Sequence, residues 1–226
     1  MTEQAFEASL AKDRSAFVAT VDVSRETLAR LDRYAALLLQ WQRAINLVGP
    51  ATLDAVWTRH FLDSMQLRAL VGTATTFVDL GSGAGFPGLV LAVMLKEEGR
   101  GHVNLVESHA KKTAFLHAVV RDLALPATVH TGRIEAVVPR LAPPEVVTAR
   151  ALAPLEQLLR WSEPLLINGA IGLFPKGREL YKEIDDAARF WQIDVQVHPS
   201  RVAADSGVIE IRSVSRRHTG TAGPSR

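Results

Sequence analysis

Hydrophobic residues in the first third of the chain recur at steps of three and four. Leu28, Leu31, Ala35, Leu38, Trp41 and Ile45 form one such stripe, the spacing of an amphipathic helix with Ser24 placed to cap its start. A second stripe follows Thr52 through Leu53, Val56, Trp57, His60, Ser64 and Leu67 and predicts a helix ending before Gly72. From Thr76 onward the period changes. Short apolar runs predict strands at 76–80, 102–107, 127–131, 145–149 and 170–174, with helices at 88–97, 109–124, 154–166 and 178–191 between them. Strands joined by helices in this way form a parallel, doubly wound sheet. The last two runs, 193–198 and 208–214, alternate in and out and are joined by a short polar connection containing Gly207. That connection has no room for a crossover helix, so the pair must be antiparallel. The pattern divides the chain into an N-terminal helical subdomain (1–72), an α/β body (73–214) and a basic flexible tail (215–226).

Where the first strand meets its helix, residues 77–88 read Phe-Val-Asp-Leu-Gly-Ser-Gly-Ala-Gly-Phe-Pro-Gly. Gly81, Gly83 and Gly85 allow positive φ and close approach of the backbone to a cofactor. Gly83, Gly85 and Gly88 also satisfy the GxGxxG spacing of dinucleotide sites, and a tight turn without any ligand is the plainer alternative. Asp79 separates the cofactors. A carboxylate two residues before the first glycine repels a pyrophosphate but suits the ammonium and sulfonium of S-adenosylmethionine (SAM). Five parallel strands closed by an antiparallel hairpin are the Rossmann-like architecture of class I SAM-dependent methyltransferases, whereas dinucleotide domains usually stay parallel to the edge.

Composition removes other chemistries. The 226 residues are 47% hydrophobic and contain no cysteine, which excludes disulfides, thiolate zinc sites, iron–sulfur clusters and a cysteine nucleophile. No metal site is expected. Without an apolar run of about 18 residues or a signal segment, the chain reads as soluble and cytoplasmic, with no membrane partner. The net charge is +2, yet the last sixteen residues carry Arg212, Arg216, Arg217 and Arg226 and no acid, which leaves residues 1 to 210 at −2. Such a tail is either a nucleic-acid arm or solvated disorder.

Further candidates sit at strand ends. Glu107 closes the second strand and either bonds ribose hydroxyls or stabilises the next helix N-terminus. Ile134 and Glu135 follow the third strand, where an adenine ring would lie, or simply start a helix. Arg150 follows the fourth strand at the edge where open α/β sheets bind ligands, and bonds either a ligand or a structural acid. The segment around it, Thr-Ala-Arg-Ala-Leu-Ala-Pro, lacks the Asn/Asp-Pro-Pro-aromatic motif of enzymes that methylate exocyclic base amines.

The Asp79–Gly88 turn, the Arg59-His60-x-x-Asp63-Ser64 segment, Asn46-Leu47, Arg150-Ala151 and Lys176-Gly177 together resemble the RsmG (GidB) family of bacterial small-subunit ribosomal RNA guanine-N7 methyltransferases, over roughly residues 24–214. The chain departs from the family pattern at Val48, at Phe174-Pro175 and in its arginine tail. The resemblance implies transfer of a methyl group from SAM to guanine N7 in 16S rRNA or the small ribosomal subunit, by a monomer. It also implies SAM contacts at Gly81, Phe86, Ile134, Glu135 and Arg150. Guanine N7 has a free lone pair, so the transfer needs positioning rather than a general base. His60 is then a core histidine or helps shape the acceptor pocket. Asn46 bonds a base edge or caps a helix. Arg59, Lys176 and Arg178, with Arg216 and Arg217, are phosphate contacts or solvated surface. Rival functions are an NAD-dependent oxidoreductase, a non-catalytic RNA-binding assembly factor and a small-molecule methyltransferase.

Overall fold

The structure is a computed structural model that describes residues 2–217. Helices α1 (Glu3–Thr20) and α2 (Arg25–Gln42) are followed by a 3-10 turn (Pro50–Thr52), a π-helical segment (Trp57–Leu62) and α3 (Asp63–Leu70). The body runs β1 (Thr76–Leu80), α4 (Gly88–Glu97), β2 (His102–Glu107), α5 (Ala110–Asp122), β3 (Ala127–Thr131) and α6 (Ile134–Val137). It continues with β4 (Val146–Thr148), α7 (Leu155–Leu166), β5 (Ile171–Lys176), α8 (Leu180–Ala188), β6 (Trp191–Pro199) and β7 (Gly207–Arg216).

Ser24 caps α2 by accepting the Thr27 N–H, and the expected stripe is buried at Leu31, Ala35 and Leu38, joined by Tyr34 and Leu37. The helix expected after Thr52 is instead two pieces, the π-helical segment and α3. Its π-helical start is capped from outside: the Asp13 carboxylate of α1 accepts the Trp57 N–H at 2.8 Å and the Thr58 hydroxyl at 2.6 Å. Helix α1 itself has no counterpart in the apolar pattern, because Phe17 is its only buried residue.

The sheet order is β3-β2-β1-β4-β5-β7-β6. The first five strands are parallel, and β7 lies antiparallel between β5 and β6. Period-two alternation divides β1 between two cores. Phe77 packs with Phe17, Leu38, Phe61, Leu89 and Phe115, so the N-terminal helices and one face of the sheet share a single core. Val78 and Leu80 pack on the other face with Leu155, Leu158, Leu159 and Phe174. Each fully buried aliphatic or aromatic side chain of this size contributes about 1.5–3 kcal/mol, so the helical preface is part of the fold rather than an appendage.

The C-terminal edge needs a correction. Helix α8 stops at Ala188 because buried Trp191 opens β6. Strand β7 continues past the expected limit of 214, with Ser215 paired to Gln192 and Arg216 to Trp191. Arg216 binds Glu163 and lies over the Trp191 ring at 5.2 Å, and Arg217 donates to the Trp191 carbonyl. Neither is a free RNA-binding arm. The rest of the expected tail, with Arg226, lies outside the described residues. No described helix is long and apolar enough to cross a membrane.

Candidate active site

Register brings the functional ends together. Asp79 of β1 aligns with Leu105 of β2 and Thr148 of β4, so the glycine turn after β1, Glu107 at the end of β2 and Arg150 just past β4 share one sheet edge. A cavity of about 350 Å³ sits there, lined by the Gly81–Ala84 backbone, Phe86, Glu107, Lys112, the 47–49 loop and His60 with residues 150–152. Beside it opens a cleft of about 1000 Å³ lined by Arg59, Asp63, Lys176, Arg178, Glu183 and Asp205 among others. His60, Arg150, Ala151 and Leu152 line both. Ala151 holds this wall at φ +51°, a backbone conformation that costs a non-glycine residue of order 1 kcal/mol or more.

The turn is held from below and beside. Gly81, Gly83 and Gly85 all have positive φ, as expected, but they do different work. A Cβ on Gly85 would fall 2.2 Å from Leu89 and 2.6 Å from the Tyr34 hydroxyl, whereas one on Gly83 would meet no protein atom closer than 3.7 Å. Gly83 therefore leaves room for a ligand, and Gly85 leaves room for the core. Tyr34, which belongs to none of the expected stripes or motifs, donates to the Ala84 carbonyl and stacks on Phe86 at 5.4 Å. Glu107 accepts the N–H groups of Gly83 at 2.9 Å and His109 at 2.8 Å, so it orients the turn while its edge lines the smaller cavity.

Asp79 does not face the cavity. It lies on the Phe77 side of β1, toward α4, and is fully buried. One oxygen accepts the Thr148 hydroxyl at 2.8 Å and the other the Gly88 N–H at 3.3 Å, at the positive end of α4. Burial pushes its carboxyl up to about 6, against the lowering effect of the Thr148 bond. Ile134 is buried in the α7-side core, and Glu135 accepts the Trp161 indole N–H. Neither lines the two cavities. Asn46 is exposed and touches Gln42, whose own side chain satisfies the Leu47 and Val48 N–H groups; the capping role falls to Gln42.

Arg150 is gripped by one turn of helix. It donates to the Arg59 carbonyl and the Asp63 carboxylate, both at 3.1 Å, and to His60 Nδ1 at 2.8 Å, and it lies 5.0 Å from the Phe86 ring centre. Burial, then the charges of Arg150 and Arg59, push His60 down to about 3, so it is neutral at physiological pH. Among the RNA candidates, Lys176 is occupied by the Ala153 carbonyl at 2.7 Å and Glu183 at 2.6 Å. Arg178 pairs with Asp205 at 2.9 Å on the exposed rim. Thr52 and Asp63, which engage His60 and Arg150, are partners that lie 87 to 98 positions from Arg150 in the chain and carry no local signal for the contact.

This sheet order, with a glycine turn after its first strand, defines a class I SAM-dependent methyltransferase fold. A putative O-methyltransferase from Klebsiella pneumoniae shares it at a TM-score of 0.58 and 11% identity, covering 90% of this chain and 96% of that one. Within that class the chain belongs to the rRNA small subunit methyltransferase G (GidB) family, whose pattern matches residues 27–210. It is similar to Ribosomal RNA small subunit methyltransferase G of Methylorubrum extorquens (strain PA1), with 52% identity over 194 residues, 86% of this chain and 92% of the relative. The protein of that name from Bradyrhizobium diazoefficiens is 47% identical over 216 residues, 95% of this chain and 83% of the relative. The protein is thus a SAM-dependent methyltransferase, and neither the nicotinamide reading nor the non-catalytic one finds support among these relatives.

Proposed function

We infer that the protein, as a single chain, transfers the methyl group of SAM to N7 of a guanine in 16S rRNA. The observation that carries this is the pair of cavities meeting at the wall of His60, Arg150, Ala151 and Leu152. The smaller one suits the donor. At about 350 Å³ it falls at the lower end of small-molecule sites, its floor is backbone with free space above Gly83, and a carboxylate, Glu107, stands at its side. Gly81, Gly83, Phe86, Glu107 and Arg150 are the residues assigned to hold SAM, with Asp79 supporting the turn from beneath. The bound donor supplies a sulfonium-activated methyl group.

The larger cleft, with Arg59 and Arg178 at its rim, suits a nucleic-acid substrate held partly through phosphates. The wall between them has no titrating base at neutral pH, since His60 stays neutral and is fully hydrogen-bonded. That matches a nucleophile with a free lone pair and no proton to lose, for which the protein contributes alignment of the reacting atoms.

The test is transfer of labelled methyl from SAM to small ribosomal subunits lacking the modification, followed by reductive cleavage at 7-methylguanine and mapping of the chain break. A break at one 16S guanine supports the assignment. Label in the RNA without any such break refutes N7, and no label in ribosomal RNA refutes the substrate class.

A further inference from the structure

Arg150 sits where both cavities meet, yet a guanidinium on a loop after a strand has many rotamers. What holds it is a chain of hydrogen bonds whose direction can be deduced. The Thr52 hydroxyl lies 2.9 Å from the Gly49 carbonyl, which only accepts, so the single hydroxyl proton goes there. Thr52 Oγ1 is also 3.0 Å from His60 Nε2 and must accept from it, so Nε2 carries the imidazole proton. Nδ1 is then a bare lone pair, and it faces Arg150 Nη2 at 2.8 Å, a group with donors only. Protonation of His60 would set a donor against a donor. The ring is further fixed by stacking on Phe86 at 4.9 Å with a 21° tilt. The π-helical turn that carries His60 also offers Arg150 the Arg59 carbonyl and leads into Asp63, and such turns often mark functional sites.

We propose that His60 is the positioning residue for Arg150, holding the guanidinium at the wall between donor and acceptor through its Nδ1 lone pair. This rests on reading the smaller cavity as the SAM site. With three acceptors taken from one helical turn, the guanidinium keeps further N–H groups for a ligand carboxylate or carbonyl oxygen. The line runs from Gly49 through Thr52 and His60 to Arg150, so it also ties the 47–49 loop, which lines the smaller cavity, to the same wall.

The test is a double-mutant cycle on the full chain, with SAM affinity by calorimetry, single-turnover methyl transfer to ribosomal subunits, and melting temperature as readouts. His60→Phe keeps a ring against Phe86 and removes the acceptor; its transfer rate falls about tenfold or more, the loss expected when a group adjacent to the reaction is misaligned. His60→Asn, whose amide oxygen replaces Nδ1, recovers most of that rate. In an Arg150→Ala background His60→Phe causes little further loss, because the group it positions is gone. Equal losses in both backgrounds, or an Asn variant no better than Phe, overturn the proposal. If His60→Phe melts far below wild type, the cycle is run with His60→Leu, which also lacks an acceptor, and the same comparison decides. A wild-type chain that binds no SAM overturns the cavity reading and this inference with it, whereas additive losses with intact wild-type binding overturn this inference alone.

Discussion

Replacing Asp79 by Asn should make the protein more stable at neutral pH, although it alters the glycine motif. The carboxyl is pushed up to about 6 in the fold, against 3.8 for an ordinary aspartate, with burial as the main cause. A folded value raised above the unfolded one means that the stabilising contribution is complete below pH 3.8 and is lost as pH rises through 6. At pH 7.5 the charged form therefore costs roughly 2–3 kcal/mol, at 1.36 kcal/mol for each pH unit of the interval. Asn removes the charge and keeps both bonds in outline, since its oxygen can accept from Gly88 and its amide can donate to Thr148. A gain of about 1–3 kcal/mol raises the melting temperature by roughly 2–10 °C for a chain of this length. Calorimetric melts of both proteins from pH 4 to 8 should show a difference that is largest above pH 6.5 and vanishes near pH 4. A destabilised variant at pH 7.5, or a difference independent of pH, refutes the account. SAM affinity gives a second check. A direct bond from the carboxylate to the ligand would cost about 1.5–3 kcal/mol on removal, and a loss of that size would show that Asp79 reaches the ligand after all.

Other perturbations separate ligand contacts from scaffold. Gly83→Ala places a methyl group in free space above the turn, so SAM binding measured by calorimetry should fall sharply while stability drops by about 1–2 kcal/mol from the strain of a side chain at φ +56°. Gly85→Ala adds to such strain a clash with Leu89 and Tyr34 and should destabilise by more, about 3 kcal/mol. His60 acts opposite to Asp79: its folded value, lowered to about 3, gives stability that is full above pH 6.5 and declines as pH falls toward 3, so Asp79→Asn should expose an acid-side loss in melting temperature that His60→Phe removes. Arg59→Ala and Arg178→Ala should weaken subunit binding and each flatten its salt dependence. Lys176→Ala should instead lower stability by about 1–3 kcal/mol, because Lys176 is spent on Glu183 and the Ala153 carbonyl.

The inner parallel strands were legible almost to the residue because a strand covered on both faces is largely an apolar run, and β1 and β2 match their expected limits. Strand β3, a partly exposed edge strand, matches its limits too, on the alternation of Ala127, Val129 and Thr131 with Thr128 and His130. Helix α1 was not, since Asp13, Arg14 and Phe17 bind it to other segments while its own pattern lacks a stripe. Within the site, the residues at strand ends were found, but their directions were not. Asp79 shows why. Alternation along β1 places it with Phe77 and against Val78 and Leu80, so the same period that revealed the strand also turns this carboxylate away from the cavity and under α4. The contact of His60 with Arg150 spans 90 positions and depends on a π-helical turn, for which residue type and spacing carry no signal. What the motif residues share is an edge of the sheet; which of them meet there is decided by packing of the N-terminal helices against it. Those helices therefore brace the wall between the cavities from behind, through Asp13 on Trp57 and Thr58, and variants that loosen α1 from the π-helical turn, such as Asp13→Ala, should lower methyl transfer through Arg150 without touching either cavity.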